Sequence, residues 1–279
     1  MFSINCKGRL VSLKEPVVMG IINTTPDSFY SGSRHAAIDD FLRTADGMLR
    51  EGATILDIGG QSTRPGSSRV EADEELRRVL PPLEALVKRF PDVIVSIDTF
   101  YAKVAEHSVQ AGASIINDVS AGTIDPELLP LVARLQVPYV LMHMQGDPQT
   151  MQQNPTYSNV VTEVFDALSL KMKALERMGI KDIIIDPGFG FGKTIAHNFQ
   201  LLAHLSYFEQ LGKPLLVGLS RKGTVYKTLD IKAEESLNGT TVLNTISLLN
   251  GAHILRVHDV KEAIQAVRLC AAYQKGKSS

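Results

Sequence analysis

The chain has 279 residues, enough for one large domain or two small ones. Its 29 lysines and arginines balance 30 aspartates and glutamates, which argues against a protein built to coat nucleic acid or an anionic membrane. Hydrophobic residues make up 44%, ample for a buried core and against general disorder, and no apolar run approaches the ~18 residues of a membrane span.

At the start, Phe2, Ile4 and Cys6 alternate, Lys7-Gly8 turns the chain, and Leu10 to Leu13 follows. That pattern predicts a β-hairpin. Lys7 and Arg9 also interrupt the unbroken apolar stretch that a signal peptide needs. Cys6 and Cys270 stand near opposite ends and read as two free thiols in a reducing cytoplasm rather than a disulfide or a zinc site.

From Pro16 onward, short β-branched runs alternate with amphipathic stretches. The runs are Val17–Ile22, Thr54–Ile58, Val93–Asp98, Ser114–Asn117, Pro138–His143, Asp182–Asp186, Pro214–Leu219 and His253–His258. Nearly continuous apolarity suits parallel strands covered on both faces. Between them, Val160, Val164, Leu168, Met172 and Leu175 recur at helical spacing within Val160–Met178. Four runs are entered through Gly52, Gly112, Gly179 and Gly251, and the other four at or near Pro16, Pro91, Pro138 and Pro214, in strict alternation. Gly suits a left-handed position after a helix, and Pro suits the first residue of a strand. The prediction is an α/β fold: a single (β/α)8 TIM barrel over 1–279, with an N-terminal β-hairpin over 1–15 covering its N-terminal face. Lys275–Ser279 reads as a frayed tail.

In such a barrel the chemistry sits where strands end. Those positions hold Asn23, Asp57 with Thr63-Arg64 beyond it, Asp98, Asn117, His143, Asp186, Ser220-Arg221-Lys222, and Arg256 with His258. Singly, a strand-end Asp is an ordinary cap or ion-pair partner; together these groups converge on one rim. Asn117 and Asp118 must face opposite ways, so only one enters the site. Asp98, Asn117, Asp186 and Lys222 suit a flat heterocycle bearing N–H, amino and carbonyl groups. Arg64, Arg256 and His258 suit a phosphate or diphosphate, and Asn23 could offer a neutral oxygen to a magnesium ion riding on it.

Other motifs fail. The segment from Gly188 to Thr194 ends like a Walker A loop but is one residue short between its glycines, and it lacks the Rossmann spacing. Lys222 as a Schiff-base lysine sits beyond its strand beside Arg221, among donors. His107, His197 and His204 fall in helical stretches and read as structural or solvated. Phe189 and Phe191 pack a loop onto the barrel, with Phe191 placed to reach a ligand.

With these residues in view the chain resembles the dihydropteroate synthase family, from the hairpin to about Ala272. Met19–Phe29, Asp57–Gly66, Ser96–Thr99, Ile116–Val119, Asp186–Phe191, Ser220–Lys222 and Arg256–Asp259 follow the family's motifs in order. The resemblance implies condensation of 6-hydroxymethyl-7,8-dihydropterin diphosphate with 4-aminobenzoate in a cytoplasmic homodimer, using Mg2+. It implies that Asp98, Asn117, Asp186 and Lys222 hold the pterin. Asn23, Arg64, Arg256, Val257 and His258 would hold the diphosphate, Asn23 also serving the metal. Thr63, Arg64, Pro65, Phe191 and Gly223 would form the aminobenzoate pocket, and Asp98, Lys222, Arg256 and His258 would carry catalysis. Two departures stand out: Tyr30-Ser31-Gly32-Ser33 lacks the family's usual loop carboxylate, and Gly223 stands where a serine is common. A methyltetrahydrofolate:corrinoid methyltransferase-type barrel, which leaves the cationic set without an anion, and a non-catalytic pterin or phosphate binder remain as alternatives.

Overall fold

Eight parallel strands close on themselves in the computed structural model, which describes residues 2–24, 34–61, 69–146, 151 and 154–277. A hairpin of β1 (Ser3–Cys6) and β2 (Arg9–Ser12) comes first. Strand and helix then alternate: β3 (Val17–Asn23), α1 (Arg34–Glu51), β4 (Ile55–Gly59), α2 (Ala72–Arg89), β5 (Ile94–Asp98) and α3 (Ala102–Gln110). They continue through β6 (Ile115–Asp118), α4 (Leu128–Leu135), β7 (Tyr139–Met142), α5 (Val160–Arg177), β8 (Ile183–Asp186) and α6 (Ile195–Ala203). The last elements are β9 (Leu216–Val217), α7 (Gly223–Leu229), α8 (Leu237–Leu249), β10 (Ile254–Val257) and α9 (Val260–Lys277). Strand order is β8-β7-β6-β5-β4-β3-β10-β9, and a parallel bridge from Ile185 to Leu215 joins the two ends into a ring. This is the expected barrel.

Every expected strand is present. The largest shortfall is β9, where a six-residue run yields a two-residue ladder. It lies at the closing seam, held to β8 by one bridge and to β10 by two register pairs. Beyond Val217 the chain turns over Leu219–Lys222, where the Lys222 N–H donates to the Leu219 carbonyl at 3.2 Å. All four strand-entry glycines have positive φ, from 88° to 121°, matching their assigned place after a helix. The stripe expected in α5 is its buried face, residue for residue, and Asn159 caps that helix by accepting from the Val161 and Thr162 N–H groups. At the other terminus α9 runs on through Lys275 to Lys277, where the sequence suggested fraying.

The strands have two different faces. Val18, Leu56, Val95, Ile116, Tyr139, Ile185, Val217 and Leu255 belong to the shell packed beneath the helices. Met19, Ile55, Ile94, Ile115, Val140, Ile184, Leu216 and Ile254 form a separate apolar layer inside the ring. Ile4, Cys6, Val11 and Leu13 of the hairpin pack into that inner layer, so the hairpin plugs the N-terminal end as the sequence predicted. Lys7 Nζ fastens it to the Val109 carbonyl at 2.8 Å, at the end of α3. Cys6 and Cys270 are unpaired.

The plug generates a prediction. Leu13 is 2% exposed, so Leu13→Ala should cost about 2–5 kcal/mol of stability, read as a lower urea midpoint. Because the hairpin lies at the opposite end from the strand-end polar groups, the folded variant should keep its turnover.

Candidate active site

Two residues beyond the apolar layer, the inward positions change character, because side chains repeat every second residue along a strand. On β4, Ile55 is followed by Asp57; on β5, Ile94 by Ser96 and Asp98; on β6, Ile115 by Asn117; on β8, Ile184 by Asp186; on β10, Ile254 by Arg256. A polar layer therefore rests on an apolar floor. Its centre is a contact set. Arg256 donates from Nε to Asp57 Oδ2 at 2.7 Å and from Nη2 to Asp98 Oδ2 at 2.7 Å. Asn117 Nδ2 donates to the same Asp57 oxygen at 3.1 Å. Asp57 is fully buried, Asp98 and Asn117 nearly so. Burial pushes the Asp98 carboxyl above its ordinary range, and the Arg256 guanidinium opposes that shift.

Asp186 and Lys222 complete the ring from the other side. Burial raises the Asp186 carboxyl, with Lys222 holding it down. Burial pushes Lys222 down to about 8, with Asp186 opposing. Lys222 Nζ donates to the Phe189 carbonyl at 2.6 Å and lies 4.7 Å from the centre of the Phe191 ring, a cation–π contact. Asp186 Oδ1 accepts from the Gly188 N–H at 2.7 Å, turning the chain at once into the loop that carries both phenylalanines.

That loop is tied from beneath. Lys193, 2% exposed, places Nζ 2.9 Å from the carbonyls of Gly188 and Phe191, 3.1 Å from that of His143, and 3.0 Å from His143 Nδ1. Three carbonyls match the three donors of the protonated amine, while burial pushes Lys193 down to about 7, with Asp186 opposing. Asn198 Oδ1 accepts from the Gly190 N–H at 2.8 Å, and Tyr157 donates to the Gly192 carbonyl at 2.8 Å. Gly188 sits at φ 74°, and a Cβ there would collide with the His143 carbonyl. The segment that fails as a nucleotide loop is thus an internally bonded wall for Phe191.

The Ser220-Arg221-Lys222 turn sends its side chains three ways. Ser220 Oγ accepts from the His258 N–H at 3.1 Å and lies 3.0 Å from His258 Nδ1. Arg221, at φ 55°, pairs with Asp259 through Nε at 3.0 Å and Nη2 at 2.5 Å. Only Lys222 turns to the ring. Gly223 is the first residue of α7. A Cβ on Gly59 would stand 3.7 Å from Asn23 Oδ1 and 3.8 Å from Asp98 Oδ2, so both oxygens lie beside the same glycine.

The structure therefore brings Asp98, Asn117, Asp186, Lys222 and Arg256 together, with Asn23 beside Asp98 and His258 fixed by Ser220. Asn117 and Asp118 do face opposite ways: Asp118 is wholly buried and accepts from Ser120 N, Gly122 N and Tyr139 Oη. Val257 turns its side chain into the outer shell, leaving only its backbone to a ligand. Thr63, Arg64 and Pro65 lie outside the described residues, as does the loop with Ser31. His107 and His204 bond to carbonyls of their own helices, and His197 closes the capping box of α6 with Thr194. Arg256, read from the sequence as an anion binder, has its Nε and Nη2 on two carboxylates.

Two residues had no assigned role in the sequence reading. Asp57 appeared among the strand ends, and the Ile55-Asp57-Gly59 alternation beside Ser96 and Asp98 was the signal that it faces them. Lys193 lies inside the segment that fails as a nucleotide loop, where no sequence signal marks its role.

Comparison with known proteins agrees with this geometry. Residues 19–258 match the family described as pterin binding enzyme. A dihydropteroate synthase of Escherichia coli (strain K12) is 43% identical over 275 residues, spanning 98% of this chain and 97% of that protein. The Xanthomonas albilineans dihydropteroate synthase solved with 4-aminobenzoic acid superposes with a TM-score of 0.91 at 43% identity, covering 98% of each chain. The same enzyme in complex with 7,8-dihydropteroate gives 0.88 at 40% identity, covering 98% of this chain and 99% of that one. On sequence, fold and the layered strand ends alike, this chain belongs to the dihydropteroate synthase family of pterin-binding enzymes.

Proposed function

We propose that this transferase joins 6-hydroxymethyl-7,8-dihydropterin diphosphate to 4-aminobenzoate, forming 7,8-dihydropteroate and releasing diphosphate. The observation that carries the reading is the polar layer itself: carboxylates from β5 and β8, an amide from β6 and an ammonium from the turn after β9 sit over one apolar floor. Asp98, Asn117, Asp186 and Lys222 match the edge of a pterin, whose ring offers N–H donors to carboxylates and acceptors to an ammonium.

In the reaction, the bond from the pterin methylene to oxygen breaks and its electron pair leaves with diphosphate. The arylamine nitrogen attacks the methylene, forms the C–N bond and sheds a proton. Asp98 and Asp186, buried and poor in water, stabilise positive charge on the pterin as the bond opens. Arg256, His258, the Val257 backbone, Asn23 and Arg64 receive the departing diphosphate. A guanidinium has five N–H donors, so Arg256 can serve its two carboxylates and still present others to the anion. Phe191, Gly223, Thr63, Arg64 and Pro65 border the aminobenzoate.

Magnesium fits this arrangement as an ion carried by the substrate. Among the described residues no cluster of three His, Cys, Asp or Glu side chains could hold a metal, while Asn23 ends β3 beside Gly59, with its Oδ1 on the Asp98 side. Magnesium commonly binds through one or two protein oxygens plus substrate phosphates. Asn23 would hold it, and the ion would supply charge neutralisation on the diphosphate.

The same reading makes the protein a cytoplasmic homodimer. Two unpaired thiols support the compartment. Among the described residues no helix is long and apolar enough to cross a membrane. Leu229, Leu237, Val242, Leu249, Leu269 and Tyr273 are exposed along α7, α8 and α9, and such a surface supports pairing.

Three outcomes test the proposal. Pyrophosphate release from the pterin diphosphate should require 4-aminobenzoate and match dihydropteroate formed; its absence with both substrates and magnesium present sinks the assignment. Asp186→Ala should weaken pterin binding at least about tenfold, because ring donors lose their acceptor, as read by calorimetry. Lys222 is protonated below its value of about 8 and neutral above it; pterin affinity should therefore fall as pH rises from about 7 to about 9. That fall should vanish in Lys222→Met.

A further inference from the structure

Asp57 is wholly buried, yet one of its oxygens holds two groups that are less so, Arg256 and Asn117. Its Oδ2 receives Arg256 Nε at 2.7 Å, Arg256 Nη2 at 2.6 Å and Asn117 Nδ2 at 3.1 Å. The side chain is fully buried, and its Oδ1 has no hydrogen-bond partner among the described residues. The carboxylate is therefore fixed mainly by what it fixes.

A carboxylate only accepts, and an amide has one donating and one accepting end. Asp57 can meet Asn117 only through its Nδ2, which turns Asn117 Oδ1 the other way. Without that constraint the amide could rotate and present nitrogen where oxygen now stands, exchanging acceptor for donor. The guanidinium is restrained likewise, by Asp57 along its Nε edge and by Asp98 at Nη2. Register explains why Asp57 is placed to do this: Asp57 lies opposite Ser96 on β5, and Asp98, two residues on, lies opposite Asn117 on β6.

We propose that Asp57 is a positioning residue for pterin recognition: it sets the orientation of the Asn117 amide and holds the Arg256 guanidinium against Asp98, so that the heterocycle meets an acceptor from Asn117. The inference rests on the pterin reading of this site and adds to it a residue that does not touch the ligand. Orientation is the quantity Asp57 controls. An asparagine at 57 keeps one acceptor oxygen for Arg256 and Asn117, whereas alanine keeps none.

The test uses 6-hydroxymethylpterin as a non-reacting probe, titrated by calorimetry into the whole protein, with thermal unfolding confirming that each variant is folded. Asp57→Ala should weaken the probe at least about tenfold, Asp57→Asn distinctly less, and KM for 4-aminobenzoate should change by less than about twofold. A double-mutant cycle with Asn117→Ala separates positioning from general support: once the amide is gone, the Asp57 substitution should cost less than about threefold. If Asp57→Ala does not fold, Asp57→Asn, which keeps the volume, carries the same cycle. Equal losses with and without Asn117 would overturn the proposal. So would unchanged affinity in folded Asp57→Ala, or an asparagine as damaging as alanine. Failure of the unsubstituted protein to bind the probe would refute the pterin reading itself, and this inference with it.

Discussion

A guanidinium buried among carboxylates is tolerable only when each charge faces another, and that requirement organises the upper half of this barrel. Arg256 is 18% exposed at its side chain and meets Asp57 and Asp98 at 2.6–2.7 Å. An isolated charge at that depth would cost several kcal/mol. The contact draws residues from β4, β5 and β10, which are not all ladder neighbours, to one point above the floor. Removing Arg256 leaves two buried carboxylates without their cation, and removing either carboxylate leaves the guanidinium with one partner in place of two. The cluster therefore constrains shape as much as charge.

The floor and the cluster depend on each other. Eight inward apolar side chains and four from the hairpin seal one end, so water reaches the charged layer from the rim. The low polarizability of the floor strengthens attraction within the layer and raises the cost of leaving any member unpaired. The same environment pushes Asp98 and Asp186 upward and Lys222 downward. Groups poised this way respond strongly to a ligand of complementary charge. A second fixed unit stands beside them: Lys193 ties the Gly188 and Phe191 carbonyls to that of His143, so the Phe191 wall is bonded into the fold itself. Its ordering entropy is settled on folding rather than on binding.

Most of the fold was legible because parallel strands buried on both faces leave continuous apolar runs of the right length. The entry glycines and prolines gave the even count. The ends of β9 were not legible, since its ladder is cut short by closure of the ring, a relation between residues far apart in the chain. The convergence of Asp98, Asn117, Asp186 and Lys222 could be read because the first three stand at strand ends and Lys222 stands on the turn just after β9. The part played by Asp57 could not be read from strand ends taken one at a time; it emerges only when β4, β5 and β6 are set in register. Lys193 was hidden for a different reason: its partners are backbone carbonyls, which carry no sequence signal. Arg256 was placed at the site, but its present partners follow from tertiary packing. Arg64, Arg256 and His258, which a methyl-transferring relative leaves without an anion, and near full-length identity separate dihydropteroate synthase from that alternative.

The hairpin plug has one more consequence. Because Leu13 and its neighbours fill the bore at its N-terminal end, the polar layer above is closed off on that side among the described residues. Whatever is consumed at depth must descend past the rim, and whatever is made must climb out by that route. A finished molecule lingering at the lip would bar the next arrival, so turnover in a site closed on that side is tied to how quickly the rim is cleared.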